Sequence, residues 1–272
     1  MTKLIRTEWL KMRKYNAFWW IMGITALSYP GINYIFYMAY DSIIKRNNTA
    51  GQLAKVYIGN PFTFPEVWHT VGYFSSLFVF IPAVVVIMFI SNEYTFKTHR
   101  QNIIDGWSRS QFITSKLIDV FIVSLLISIL YTAVSYVTGL ANQTRLIQDT
   151  WGQAQYIGLF ALQTFAQLSL AFFIGFLVRK AFMALGVFLF YYMILEPIAV
   201  NLLKVYGHDN GRYLPLEISD RLVPVPAFFG KIDIDNYNRS IAAIPQHVIL
   251  TIILTALIWL ICYRINSRRD LK

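Results

Sequence analysis

Side chains that commonly do chemistry are sparse and scattered in this sequence. No Gly-x-x-x-x-Gly-Lys-Ser/Thr segment is present, so no backbone cradle with its lysine is available for nucleotide phosphates. His69, His99, His208 and His247 stand far apart with no partner at ligand spacing, which predicts no metal centre. Cys262 is the single cysteine, so an internal disulfide is excluded, and its apolar neighbours suit a small buried residue rather than a reactive thiol. No Ser/His/Asp group and no carboxylate pair stands out. The expectation is a chain with no catalytic residue and no cofactor of its own. What remains is a set of polar side chains inside apolar runs, where each is costly. Asp119 is at helical spacing from Lys116 and reads as half of a local ion pair. Glu196 precedes Pro197 deep inside another run. It either lines a path for a solute or caps a helix break. Gln163 and Gln167 lie one turn apart on one helix face, where they either bond a neighbouring helix or line the same path. Such residues bind and conduct; they do not break bonds.

The elements that position them are apolar helices. Of the 272 residues, 56% are apolar and 14% charged, with a mean hydropathy of +0.49. Soluble domains hold roughly 45–50% apolar and about 25% charged residues. The fold class implied is all-α and polytopic, an integral membrane protein. Six apolar runs, 18–40, 71–90, 117–140, 156–178, 181–203 and 243–263, are each about 20 residues or longer, enough to cross about 30 Å of hydrocarbon as a helix. They lack period-two alternation, which argues against a β-barrel. Pro82, Pro197 and Pro245 are expected to kink or bound their helices. Gly158, Ala161 and Gly175 favour close packing of the fourth run.

The net charge of +10 is spread over the ends of these runs rather than gathered in one patch, so no nucleic-acid partner is expected. Lys97, Arg100, Arg109, Lys116, Arg179, Lys180, Arg264, Arg268, Arg269 and Lys272 fall on the side of the basic N-terminus. The longer opposite segments carry Lys45, Arg46, Lys55, Arg145, Lys204, Arg212, Arg221, Lys231 and Arg239 more thinly. The positive-inside rule then places both termini in the cytoplasm.

Three water-facing segments stand out. Residues 1–17 read as an amphipathic helix lying in the lipid headgroup plane. Leu4, Ile5, Trp9, Met12 and Tyr15 share one face, and Lys3, Arg6, Lys11, Arg13 and Lys14 the other. The helix either anchors the chain or also touches a cytoplasmic partner. Residues 92–116 are long for a connector and carry Ile103, Ile104, Trp107, Phe112 and Ile113. Gly106 marks a turn, and Ser108 is placed to cap a helix starting at Arg109. These apolar residues either face a soluble partner or pack against span ends. Residues 204–242, with Pro215, Pro224, Pro226, Phe228, Phe229 and Gly230, suit either a plain folded cap or short broken helices packed over a cavity mouth.

The run from Leu4 to Lys14, with Arg6, Glu8, Trp9 and Lys11, resembles the start of an ATP-binding-cassette (ABC) type-2 permease. So does the order Glu93, Thr98, Gly106, Ser108-Arg109 and Lys116. The sequence departs from that family at Lys97, where glycine is frequent. The resemblance covers the chain as one permease domain, 1–272. It implies a subunit of a transporter, in export mode, in the cell (inner) membrane. It implies a second permease copy or a paralogue, and a separate cytoplasmic ATPase that binds ATP and Mg. By the same resemblance, 1–17 is an interfacial elbow helix, 92–116 holds the coupling helix gripped by the ATPase, and 204–242 is an extracytoplasmic re-entrant hairpin. The alternative is a polytopic scaffold or assembly factor with no transport cycle.

Overall fold

The computed structural model describes residues 2–45, 59–143, 149–206, 209–230 and 233–268. Of the residues named above, Arg46, Lys55, Arg145, His208, Lys231, Arg269 and Lys272 lie outside this set, as do the side chains of Lys3, Leu4 and Ile5. Every regular element among the described residues is helical. In chain order they are α1 (Thr2–Lys14), α2 (Asn16–Ile44), α3 (Val67–Ser76), α4 (Phe80–Thr95), α5 (Thr98–Ile104), α6 (Arg109–Ala141), α7 (Gln155–Val178), α8 (Ala181–Phe190), α9 (Glu196–Tyr206), α10 (Pro215–Asp220), α11 (Ala227–Gly230) and α12 (Ile234–Arg268). One π-turn, Tyr191–Leu195, joins α8 to α9, and a short 3₁₀ turn covers Asn210–Tyr213.

Four helical segments are long and apolar enough to cross a membrane: α6, α7, α8–α9 and α12; α3 with α4 makes a fifth if that pair, bent by 49°, is one span. The second expected span, 71–90, is therefore broken rather than straight. The break falls at residues 77–79, and Pro82 stands in the first turn of α4, where its missing N–H costs nothing. Helix α2 has 29 residues, ample length for a crossing, but Tyr29, Pro30, Gly31, Asn33 and Tyr34 dilute its apolar run, and it is not among the segments that meet both conditions. Pro197 acts as expected: with no N–H to donate, it cannot close the preceding turn, and the helix widens into the π-turn just before it. Pro245 bounds nothing, for α12 runs through it and begins nine residues upstream of the expected start.

The core is aromatic. Tyr131 of α6 stacks on Phe160 of α7 at 4.3 Å and donates its hydroxyl to the Trp68 carbonyl of α3 at 2.5 Å. Asn33 of α2 donates to Ser75 of α3 at 3.1 Å. In lipid, where burial gains little from leaving water, such contacts and close backbone approach hold helices together. Gly175 supplies one close approach between helices: a Cβ there would sit 2.7 Å from Ile90 Cγ2 of α4. Gly158 has nothing within 4 Å, so the packing role expected of it does not hold.

Candidate functional site

Two polar sites occupy opposite ends of the bundle. At the near end, where α1 lies, four elements meet in a buried ion network. Lys116 Nζ of α6 contacts Glu8 Oε2 of α1 at 2.6 Å, Glu93 Oε1 of α4 at 3.0 Å and Asp119 Oδ2 one turn along α6 at 3.1 Å. Lys11 reaches Glu8 at 3.1 Å and Glu93 at 2.9 Å. Thr98, the first residue of α5, donates to Glu93 Oε2 at 2.5 Å. Glu8, Glu93, Lys116 and Asp119 are each at most 5% exposed. Three carboxylates share two ammonium groups, one of them half-buried. Burial works against a charged Glu8, but the charges of Lys116 and Lys11 prevail and hold its carboxyl below the ordinary value.

The sequence explains the convergence. Helix α1 is short and turns at Tyr15, whose hydroxyl accepts from Asn92 at 3.0 Å, so its Glu8 face is pressed against the end of α4. Lys97, between α4 and α5, adopts φ 55°, ψ 20°, the left-handed conformation that glycine takes freely. The turn found with glycine in the resembling family is thus kept here by a lysine under strain. Lys97→Gly is expected to raise stability by about 1 kcal/mol, seen as a higher melting midpoint in detergent.

Among the residues singled out by motif order, the fold brings Glu93, Thr98 and Lys116 into one network with Glu8 and Lys11. It does not bring in Gly106, Ser108 and Arg109. Gly106, at φ 96°, makes the turn after α5. Ser108 forms a capping box: its hydroxyl accepts from Gln111 N at 3.1 Å, and its own N–H reaches Gln111 Oε1 at 2.8 Å. Arg109 points to the other end of the chain, donating to the Ser267 carbonyl at 2.7 Å while Asn266 bonds its own carbonyl at 2.8 Å. On α1, Arg6 and Trp9 are exposed, Trp9 by 37%, and the face turned into the protein carries Glu8 and Met12. Of the expected apolar face, Met12 enters the interior beside Glu8, which meets the buried Lys116, and Trp9 stays on the outer side of the helix. The apolar residues of 92–116 divide. Phe112 and Ile113 pack inward, whereas Ile104 is 77% and the preceding Phe96 71% exposed.

At the far end, the chain after α9 folds back between α7, α9 and α12. Gln163 and Gln167 of α7 donate to Asp220 Oδ1 at the end of α10, at 2.9 and 2.6 Å. Glu196 Oε1 accepts the backbone N–H groups of Leu216 and Glu217 at 2.6 and 2.8 Å. Glu196 thus caps the start of α10, and it also lines a cavity of about 1070 Å³. Arg221 is held by Asp209 at 2.8 Å and Glu217 at 2.7 Å. Nothing local marks Asp220: it stands between Ser219 and Arg221, with Glu217 a turn before it, and its glutamine partners are distant in sequence.

Residues 4–195 match the family described as "ABC-2 family transporter protein". No curated protein and no solved structure matches the chain. The match takes in the whole near-end network and stops just before Glu196.

Proposed function

Since the chain belongs to the ABC-2 transporter family, which makes it a multi-pass membrane permease, we propose that it is the six-span membrane subunit of an ATP-driven exporter, worked by a separate cytoplasmic ATPase. Helix α2 is the remaining span, α1 lies in the inner headgroup layer, both termini are cytoplasmic in the cell membrane, and the 204–242 segment faces outward. Two permeases, copies or paralogues, form the pathway. ATP and Mg belong to the partner; this chain carries no phosphate loop and contributes no bond-breaking step.

The observation that supports this reading is the placement of two exposed apolar side chains beside a buried ion network. Phe96 and Ile104 flank α5, and α5 is tied to Glu93 through Thr98. A partner gripping α5 pulls on Glu93, and through Lys116 on α6 and α1 at once. Ion pairs in a dry interior prefer one geometry over a graded series, so a pull of this kind favours two discrete arrangements of the spans.

The test is Ile104→Asp. With most of its side chain outside the fold, the substitution is expected to leave the melting midpoint unchanged. It should lower co-purification of a co-expressed partner ABC ATPase by at least about tenfold, as expected when an apolar anchor is replaced by a charge. Unchanged co-purification and unchanged ATP-driven transport in that variant would refute the contact.

A further inference from the structure

The far-end cavity is not used by the coupling argument. Its residues lie mostly beyond the part of the chain that carries the family match. Both signs of charge line its wall, Arg239 of α12 and Asp233 just before that helix among them. Arg221 is neutralised by Asp209 and Glu217. Lys204 is eight residues beyond Glu196 on α9, about 12 Å further toward the rim. Arg212 is partly exposed and lines the cavity, with its guanidinium 4.8 Å over the Tyr213 ring and bonded to that hydroxyl at 2.7 Å, while its Nε is buried with no partner among the described residues.

Two carboxylates stand at opposite ends of the six-residue helix α10, Glu196 against its start and Asp220 at its close, and among the described residues no cation is bonded to either. Glu196 is 2% exposed and lines the cavity, and its Oε2 has no hydrogen-bond partner. Asp220 is exposed, and the surface it shows opens onto the cavity. Among the described residues its carboxyl receives the two glutamine amides, which are neutral donors. Tyr73 and Tyr192 line the same wall and lie in the field of Asp220, and Tyr237 and Phe229 complete an aromatic surface. Two carboxylates facing aromatic rings offer one charge-compensating point and a broad π surface. That combination suits a soft, bulky cation, and among the described residues no cluster of three His, Cys, Asp or Glu offers a metal its ligands.

We propose that this cavity binds an amphiphilic organic cation, with the positive charge between Asp220 and Glu196 and the apolar body against Tyr73, Tyr192, Tyr237 and Phe229. Binding of this kind needs no nucleotide, and it names the class of solute that the permease carries or senses at its outer end. It rests on the transport reading only for that use.

Burial, with repulsion from Glu217 and Glu196 and against donation by the two glutamines, pushes the Asp220 carboxyl up to about 7. Below that value it is neutral and has little attraction for a cation; above it the charge is present. The other titratable or charged groups around it are Glu217 and Arg221 on its own segment, Glu196 on α9, Tyr192 in the π-turn, Tyr73 on α3 and His247 on α12.

The experiment uses the full chain in nanodiscs, without ATPase, and equilibrium dialysis of two probes of equal size and opposite charge. Tetraphenylphosphonium and tetraphenylborate are corrected against empty discs. The phosphonium is expected to bind at least tenfold more tightly than the borate, and its affinity to rise at least tenfold from pH 5.5 to 8.5. Neither probe titrates, so the rise reports the protein. Asp220→Asn is expected to remove most of both effects. Equal affinities for the two probes, or a pH response that survives in Asp220→Asn, overturns the proposal. If that variant does not fold, the charge preference and pH response of the unaltered chain still decide. Failure here leaves the α5 contact untouched, because no ATPase is present.

Discussion

Lys116→Met is expected to destabilise the protein by about 3–5 kcal/mol, because it strips the one fully buried cation from three carboxylates. Methionine fills the volume, so the loss measures charge compensation and not a cavity. Lys11→Met should cost under about 1 kcal/mol, since Lys11 is 36% exposed and water screens what it contributes. Melting midpoints in one detergent at pH 7 give the ranking. A second substitution, Glu93→Gln or Asp119→Asn, in the Lys116→Met background is expected to recover part of the loss by removing an orphaned charge. If Lys116→Met melts with the parent, the network is not a structural unit. The same melts taken against pH check the sign for Glu8. Its carboxyl lies below the ordinary 4.5, so its contribution is complete above that value and is lost as pH falls through the depressed one. Glu8→Gln should flatten that acid limb.

Much of this architecture could be read from residue order. Long apolar runs in a chain with few charges leave the helix as the only backbone that satisfies itself in lipid. Ser108 and Gln111 announce the start of α6 because a capping box is a local, short-range signal. Gly106 announces the turn because its φ of 96° suits only glycine. The break in the second span was not legible. It falls at Leu77, Phe78 and Val79, apolar residues no different in type from their neighbours, and is set by how α3 packs beneath α2 and α6. The near-end site was half legible. Asp119 with Lys116 is a contact within one helix and follows from spacing. Glu8 with Lys116 spans 108 positions, and no local pattern encodes it. Helical-wheel reasoning sorts α1 by polarity and so turns Glu8 outward. Only the buried ammonium of a distant helix reverses that. Asp220 escaped for the same reason: its partners, Gln163 and Gln167, lie more than fifty residues upstream.

Gly175→Leu is the second substitution expected to act strongly, and its effect joins packing to coupling. A Cβ at this position would approach Ile90 Cγ2 to 2.7 Å and Ile87 Cα to 3.4 Å. Rotation of the Ile90 methyl could admit an alanine. It cannot admit a leucine, because the Ile87 contact is with backbone. The helices α4 and α7 must then separate, at a cost of about 3 kcal/mol. Gly158→Leu, on the same helix with open space around it, is the control and should leave the melting midpoint within about 0.5 kcal/mol of the parent. Separation carries a further consequence. Ile90 lies one turn before Glu93, so a displaced α4 draws that carboxylate off Lys116, now 3.0 Å away. Gly175→Leu and Lys116→Met should therefore be strongly non-additive, the double variant costing clearly less than the sum of the two. Additive losses would mean that α4 can move at Gly175 without disturbing the ion network, and the lever from α5 through Glu93 to the spans would then have no rigid arm.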